Sequence, residues 1–373
     1  MQIQKFKDLT ANAFLEIKRY QKGEKGVVLT GLPYFDDLFP VVNGSVIIFS
    51  AGSGVGKSYK LAQIVDNILN KELNPTADNF AVLHISLEMR VMSLVLRGMS
   101  KNIKSKTKKQ ILLEEFTEEE KEQANKYFLS LQDERVHISQ VPTSPKRFYE
   151  GCKEFLDSNK SKSSVIITVD HLALVSGDKG EPRNTIIENF IERVNDLKME
   201  YENVIFILLS QTNSEMAKRA QDKSIMSQPT ASDLYYSQFT FQVADYVAIM
   251  INPTKYGISE YSKIDPERNQ HLKEYFLEED KKGKVSLECY GVNYVHLLKC
   301  REAEGLYTEI YAEELYIPNA KKVREDKKNS TFQTPTFNTA PIFTPTVDLT
   351  KHQPSFASLN NAFAPPNVND ESF

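Results

Sequence analysis

The residues best suited to chemistry lie in FSAGSGVGKSYKL, residues 49–61. Apart from Ala51, this stretch fits the pattern G-x-x-x-x-G-K-[ST], a glycine-rich turn between a strand and a helix. Such a turn binds phosphate, because its backbone N–H groups curl around the oxygens and the helix N-terminus favours negative charge. In this pattern Lys57 reaches the β and γ phosphates of ATP, and Ser58 binds magnesium. The predicted nucleotide-binding residues are Ala51, Gly52, Ser53, Gly54, Val55, Gly56, Lys57 and Ser58.

Ala51 stands where the pattern has its first glycine. This position ends a predicted strand and needs only a negative φ, which alanine adopts without strain. A working loop is therefore expected despite the substitution.

Asp170 follows four apolar residues in VIITVDHL, residues 165–172. A carboxylate at the carboxyl end of a buried strand holds the magnesium shell in nucleotide-hydrolysing enzymes of this kind. Taken alone, such an aspartate could equally cap a turn. Together with the phosphate loop, it predicts a magnesium ligand.

The composition limits the class of protein that carries these residues. The chain has 373 residues, 40% of them hydrophobic, and a net charge of −4, so any contact with nucleic acid must use a local basic patch. Three cysteines lie far apart, which favours ordinary packing over disulfides or zinc. Without a signal core or membrane span in the sequence, we expect a protein of the cytosol, or of the host cytosol if it comes from a bacterial virus.

Apolar runs without polar alternation predict parallel strands that are buried on both faces. They lie at residues 46–51, 80–88, 165–170 and 204–211. Helical stretches separate them, with start signals at Thr117 and Ser144. This alternation predicts an α/β fold with an open sheet.

The sequence predicts three regions. Residues 1–29 are expected to form a short N-terminal helix, too short for a domain and suited to a linker, and residues 30–328 are expected to form the domain that carries the phosphate loop, an ATPase domain. Within that domain, the charged stretch 253–284 is interpreted as a surface insertion. Residues 329–373, rich in Thr, Pro, Asn and Ser, are expected to be a disordered tail.

Further motifs resemble those of the ring-shaped replicative DNA helicases of the DnaB family, in their RecA-like motor domain. TGLPYFDDLF at 30–39 is similar to the family's T-G-x-x-x-L-D, HISLEM at 84–89 to F-S-L-E-M, and VIITVDHLALV at 165–175 to I-D-Y-L-Q-L-M. The resemblance continues to roughly residue 318. It implies a RecA-like P-loop NTPase fold with a mostly parallel central sheet, here without the family's separate N-terminal domain.

The resemblance implies that Glu88 polarises the attacking water. Independently, a carboxylate that ends the strand beside the phosphate-loop strand is well placed for this role, so we expect that strand order. The alternative for Glu88 is a helix N-cap.

LLSQTNSEMAKRAQDKSIMSQPTASDL, residues 208–234, is similar to the family's L-S-Q-L-N-R continuing to S-D-L. By this resemblance, Gln211 senses the γ-phosphate and reports it to the adjoining loop. Lys218, Arg219 and Lys223 give that loop positive charge suited to a DNA backbone. A solvated surface loop is the alternative for these three residues. Ser214 stands where the family has arginine.

HLLKCREAEG, residues 296–305, is similar to the family's K-x-R motif. Lys299 and Arg301 would then reach the ATP of the neighbouring subunit, with Arg301 as an arginine finger in trans. A surface ion pair is the competing account of Arg301.

The leading hypothesis is therefore an ATP- and magnesium-dependent helicase that translocates on single-stranded DNA as a hexameric ring, in the 5′ to 3′ direction that the family implies. The alternatives are a RecA- or KaiC-like ATPase, and a nucleotide-gated loader or regulator without helicase activity. The C-terminal NDESF resembles the acidic, Phe-terminated tip of single-stranded DNA-binding proteins, which suggests replisome partners for the tail.

Overall fold

A computed structural model describes most of the region between residues 27 and 315. The described residues are 10, 14–15, 17–20, 27–103, 105–221, 225–226, 228–235, 237–258, 260–303 and 309–315. The predicted tail and most of the predicted linker helix lie outside these ranges. Those linker residues that are described from Thr10 to Tyr20 are helical, and Phe14 and Ile17 are exposed there.

The core of the domain is an eight-stranded sheet. Its strands are β1 Val46–Ala51, β2 Phe80–Ser86, β3 Val136–Ser139, β4 Ser164–Asp170, β5 Val204–Gln211, β7 Tyr246–Ile251, β11 Val292–Cys300 and β12 Glu309–Glu314. They lie side by side in the order β12-β11-β7-β1-β5-β4-β2-β3. Strands β3, β2, β4, β5, β1 and β7 run parallel to one another, whereas β11 is antiparallel to both of its neighbours, β7 and β12. This agrees with the predicted mostly parallel α/β sheet.

Helices flank this sheet, and both predicted start signals, at Thr117 and Ser144, lie at helix N-termini. Thr117 and Glu120 form a reciprocal capping box, and the Ser144 hydroxyl caps the helix that begins at Pro145. The α-helices are α1 Pro33–Asp36, α2 Lys57–Leu69, α3 Val91–Asn102, α4 Lys108–Leu113, α5 Glu118–Ser130, α6 Pro145–Ser158, α7 Arg183–Glu200, α8 Ser214–Gln221 and α9 Ser237–Val243. Short 3₁₀ helices span Ala77–Asn79, Leu172–Leu174, Ala231–Asp233, Pro253–Tyr256 and Gln270–Tyr275.

Both faces of the sheet are buried, which explains the uninterrupted apolar runs in the sequence. Along β1, Ile48 faces the layer that contains α7, whereas Ile47 and Phe49 face the layer that contains α2. The predicted apolar face of α7 is buried as expected. Its members are Ile186, Phe190, Val194 and Leu197.

The charged segment 253–284 contains more structure than its composition suggests. Together with Val285–Glu288, it contributes three strands to a second sheet in the order β6-β8-β10-β9. Most of its described charged side chains are exposed, but Ile258, Tyr261 and Leu272 are buried in the main core. The strands are β6 Ile225–Met226, β8 Glu260–Ile264, β9 Phe276–Glu279 and β10 Val285–Glu288.

The three cysteines are buried free thiols, as the sequence suggested. Within the described ranges, none of the helices combines the length and the apolar content that crossing a membrane requires.

Candidate nucleotide-binding site

The predicted site residues converge because parallel strands present their carboxyl ends at one edge of the sheet. β1 ends at Ala51, which pairs in register with Gln211 at the end of β5. β4 ends at Asp170, which pairs with Ser86 at the end of β2. Since β5 lies between β1 and β4, Gln211 lies between the phosphate loop and the acidic strand end.

The phosphate loop has the backbone conformation that its glycines permit. Gly54 and Gly56 have φ angles of 70° and 113°, which favour glycine, and Gly56 immediately precedes α2. The Lys57 ammonium is buried and donates hydrogen bonds to the carbonyls of Ala51 at 2.9 Å and Gly52 at 3.2 Å. Lys57 therefore curls back over its own loop, as expected for a lysine that contacts bound phosphate.

The electrostatics of Lys57 reflect its surroundings. Burial lowers the pKa of Lys57, the carboxylates of Asp170 and Glu88 oppose that shift, and the neighbouring Lys255 adds to it. All three charged groups therefore lie close enough to Lys57 for Coulomb interaction. The loop thus lies among charges of both signs.

Asp170 fits the role of a magnesium ligand. Its side chain is 1% exposed, and neither carboxylate oxygen accepts a hydrogen bond from a described residue. Burying a carboxylate without hydrogen-bond partners costs free energy of folding unless a cation binds to it. Ser58, in the first turn of α2, is the second expected ligand. The described residues hold no cluster of three or more His, Cys, Asp or Glu for a metal, so phosphates and water would complete the shell.

Glu88 lies at the same edge, but the expected strand order was wrong. β2, which precedes Glu88, is separated from β1 by β5 and β4. The strand order follows long-range pairing, which the local sequence does not encode. The Glu88 amide donates to the Asp170 carbonyl at 3.3 Å, and its side chain is half exposed towards the site. Arg90, rather than Glu88, occupies the N-cap of α3.

His171 is a site residue that the sequence did not single out. Its Nε2 lies 3.2 Å from Nε2 of Gln211 and 3.7 Å from a carboxylate oxygen of Glu88. The ring is almost fully buried, and burial lowers its pKa. A neutral imidazole can then accept a hydrogen bond from the Gln211 amide. The sequence shows only that His171 follows Asp170, not where its ring lies.

Gln211 leads directly into the loop that was predicted to bind DNA. Its carbonyl accepts a hydrogen bond from the Tyr235 amide at 2.9 Å, and the Asn213 amide donates to Asp233 O at 2.8 Å. The two ends of the loop are therefore joined beside the nucleotide site.

Of the three basic residues in this loop, Lys218 and Arg219 have acidic partners within the chain. Lys218 pairs with Glu215 at 2.7 Å and is largely exposed. Arg219 pairs at 2.6 Å with Asp233, whose side chain is 1% exposed. Lys223 lies outside the described residues. Arg219 thus has a structural partner in its own chain, and its contact with DNA stays a prediction.

Lys299 and Arg301 lie at one end of the strands, level with the start of β7, whereas their own phosphate loop lies at the other end. Lys299 pairs in register with Val247 near the start of β7, whereas Ala51 pairs with Met250 near its end. Three residues of strand separate these levels by about 10 Å, and the loop extends further in the same direction. In this structure, therefore, neither cation lies beside the phosphate loop of its own chain.

In the isolated chain, both cations contact the end of α9. Lys299 donates to the Phe241 carbonyl at 2.8 Å, and burial lowers its pKa. Arg301 donates to the Gln242 carbonyl at 2.8 Å and pairs with Asp245 at 3.2 Å. The ion pair considered from the sequence is present, and it fixes the direction of the guanidinium.

Comparison with known protein families decides the assignment. The model of the DnaB-like helicase C-terminal domain matches residues 27–289, more than half of the 373-residue chain. The chain belongs to the DnaB-like helicase family. The DnaB-like match contains the phosphate loop, Glu88, Asp170 and Gln211, and supports a nucleotide-binding, helicase-family ATPase. It ends before Lys299 and Arg301.

Solved structures agree with a DnaB-like fold. The ATPase domain of G40P is 17% identical to this chain with a TM-score of 0.59. The match covers 83% of this chain and 95% of that domain. A DnaB-like replicative helicase, whose structure describes its interactions with primase, is 16% identical to this chain with a TM-score of 0.54. The match covers 83% of this chain and 64% of that helicase. A KaiC-like protein from Pyrococcus horikoshii OT3 has a TM-score of 0.43 at 15% identity, with 77% and 94% covered, which is too low to bear on the assignment. Comparison with curated protein sequences finds no match.

Proposed function

We propose that this protein is an ATP-driven replicative DNA helicase that moves along single-stranded DNA and unwinds the duplex as a ring of identical subunits, a hexamer by family resemblance. The observation that carries the proposal is the convergence of four elements at one sheet edge. These are the phosphate loop, the buried Asp170, Glu88 and Gln211. They are the parts that nucleotide hydrolysis coupled to a moving loop requires.

In this proposal Lys57 and the loop amides bind the triphosphate, and Ser58 and Asp170 hold magnesium. Magnesium would neutralise charge that develops on the phosphates during hydrolysis. Glu88, half exposed at the edge, orients the attacking water and accepts its proton. Gln211 contacts the terminal phosphate and transmits its presence to the loop that begins at Thr212.

Lys299 and Arg301 are proposed to complete the ATP site of the adjacent subunit. Their distance from the phosphate loop of the same chain supports action in trans. An arginine finger that stabilises transition-state charge requires contact between subunits, which supports a ring in which ATP is bound between neighbours.

DNA would contact the loop between Thr212 and Leu234. Exposed Lys218 is suited to the phosphate backbone, where each neutralised phosphate releases counterions. The proposed role of Arg219 in DNA binding requires exchange of its Asp233 partner for a phosphate. Lys223 remains a predicted DNA contact, and travel from 5′ to 3′ remains an expectation from family resemblance.

One observation favours a second candidate, a nucleotide-gated loader or regulator. Lys299 and Arg301 already have carbonyl and carboxylate partners in their own chain, so a trans contact requires that these be exchanged. A protein that binds ATP only to change its affinity for a partner needs no finger.

Unwinding of forked DNA with a 5′ or a 3′ single-stranded tail tests the proposal, with ring size measured on the same sample by native mass spectrometry. We expect ATP turnover to rise with single-stranded DNA and unwinding to depend on the 5′ tail. Lys57→Ala is expected to abolish both activities without loss of folding, whereas Lys281→Ala, at an exposed lysine far along the chain, serves as the matched control. ATP binding without DNA-stimulated turnover would favour the loader or regulator.

A further inference from the structure

The short helix Pro253–Tyr256 contacts the phosphate loop of the same subunit. The Lys255 ammonium donates a hydrogen bond to the carbonyl of Ser53. A Cβ atom placed on Gly54 would lie 3.2 Å from the same ammonium, and one placed on Gly52 would lie 2.9 Å from the Tyr256 hydroxyl. In the sequence this helix lies within the charged stretch 253–284, interpreted above as a surface insertion, and no motif connects it with the site.

The helix follows β7 directly in the chain and is anchored by local hydrogen bonds. The Asn252 side chain accepts a hydrogen bond from the Lys255 amide at 3.1 Å and thereby caps the helix. The Thr254 hydroxyl donates to the Cys289 carbonyl at 2.7 Å, and Gly257 ends the turn with a φ of 71°. Lys255 is therefore presented to the loop by a rigid support, although its side chain is exposed.

Two ammonium groups consequently lie at one phosphate loop. Among the described residues, Lys255 has a backbone carbonyl as its partner and no carboxylate. The proximity of Lys255 contributes to the lowered pKa of Lys57, after the larger effect of burial. Two like charges held beside exposed backbone N–H groups repel each other, and a bound polyanion relieves that repulsion.

We propose that Lys255 is a second cationic ligand for the phosphates of the bound nucleotide, supplied in cis and in addition to Lys57. The inference rests on the proposed function, in which the loop binds ATP. A cationic side chain that stabilises phosphate charge can come from the same subunit, in cis, or from a neighbouring subunit, in trans. Lys255 contacts the phosphate loop of its own subunit and would therefore act in cis. On binding, the ammonium exchanges the Ser53 carbonyl for phosphate oxygen.

The affinity for the non-hydrolysable analogue AMP-PNP, measured by isothermal titration calorimetry on the full chain with magnesium, tests this role. Lys255→Met removes the charge and the donor, Lys255→Arg retains both, and Lys281→Met removes an exposed lysine elsewhere on the same segment. We expect Lys255→Met to weaken binding by about tenfold or more, as for the loss of a charge-assisted hydrogen bond. Lys255→Arg and Lys281→Met should remain within about twofold of wild type.

Thermal unfolding without nucleotide separates ligand binding from a structural clamp on Ser53. Unchanged unfolding temperature in Lys255→Met, together with weakened binding that arginine restores, supports the proposal. Wild-type affinity in Lys255→Met overturns it. So does an equal loss in the Met and Arg variants accompanied by a lower unfolding temperature. If wild-type protein binds no AMP-PNP, the proposed function itself fails.

Discussion

The Nε2 atom of His171 lies 3.2 Å from Nε2 of Gln211. The same imidazole nitrogen is 3.7 Å from the Glu88 carboxylate, so one buried ring joins the proposed water-activating residue to the proposed phosphate sensor. Gln211 in turn begins the path to the loop at Thr212. A contact of this kind can couple the two groups because both must adopt their productive geometry together.

His171→Phe keeps an aromatic ring of similar size but removes the hydrogen bond to Gln211. We expect the stimulation of ATP turnover by single-stranded DNA to fall roughly tenfold or more, because the sensor loses its fixed orientation. AMP-PNP affinity should stay within about twofold, since His171 is not a proposed phosphate ligand. Steady-state ATPase assays with and without DNA, with calorimetry alongside, measure both effects. A parallel loss of affinity and turnover would point to a damaged fold.

Arg301→Ala and Lys57→Ala should each abolish ATP turnover when assayed alone. Because Arg301 lies at the sheet edge opposite its own phosphate loop, mixing the two variants should restore part of the turnover. Mixed rings contain interfaces in which an intact loop faces an intact finger. Turnover is measured after the variants are mixed at equal concentration. If the mixture shows no ATP turnover although mass spectrometry demonstrates mixed rings, action in trans is contradicted.

Gly52→Ala is expected to weaken AMP-PNP binding by about tenfold, since overpacking of a close contact displaces its neighbours. The added Cβ would lie 2.9 Å from the Tyr256 hydroxyl. Tyr256→Phe removes that oxygen and should restore part of the affinity in the double variant, while having little effect alone. Calorimetry on the three variants measures this suppression. Its absence would mean that the loop rejects alanine for another reason.

Arg219→Ala and Lys218→Ala should differ in what they damage. Arg219 pairs with the buried Asp233, so its loss should lower the free energy of unfolding by about 2 kcal/mol, less than for a fully buried pair because Arg219 is 39% exposed. Lys218→Ala should leave stability unchanged and reduce the salt dependence of DNA binding. Urea unfolding and fluorescence anisotropy with labelled single-stranded DNA measure the two effects. Equal stability of both variants would remove the structural role of Arg219.

His296 should make the protein less stable in mild acid. It is fully buried, its Nε2 is hydrogen-bonded to the Tyr261 hydroxyl at 2.6 Å, and burial lowers its pKa from 6.5 to about 3. Below about pH 6 the unfolded chain binds a proton that the folded chain excludes, so the free energy of unfolding falls by up to about 1.4 kcal/mol per pH unit. Urea unfolding of wild type and His296→Gln between about pH 6 and pH 4.5 should show a shallower dependence in the variant. Equal slopes would contradict this assignment.

Local chemistry was sufficient to predict much of this protein from its sequence. Glycine spacing, the following lysine and the apolar run before Asp170 indicated the phosphate loop and the acidic strand end, because these depend on neighbours within a few residues. Burial on both faces produced the uninterrupted strands, so the parallel sheet was also predictable. The short motifs SLEM and SQTN were enough to indicate the family.

Only the tertiary structure decided which residues meet. The order of the strands separates Glu88 from the phosphate-loop strand and places Gln211 between the loop and Asp170. It also places Lys255 on the loop and Arg301 at the opposite edge. Strand pairing depends on contacts between residues far apart in the chain, whereas apolar periodicity reports only whether each segment is buried.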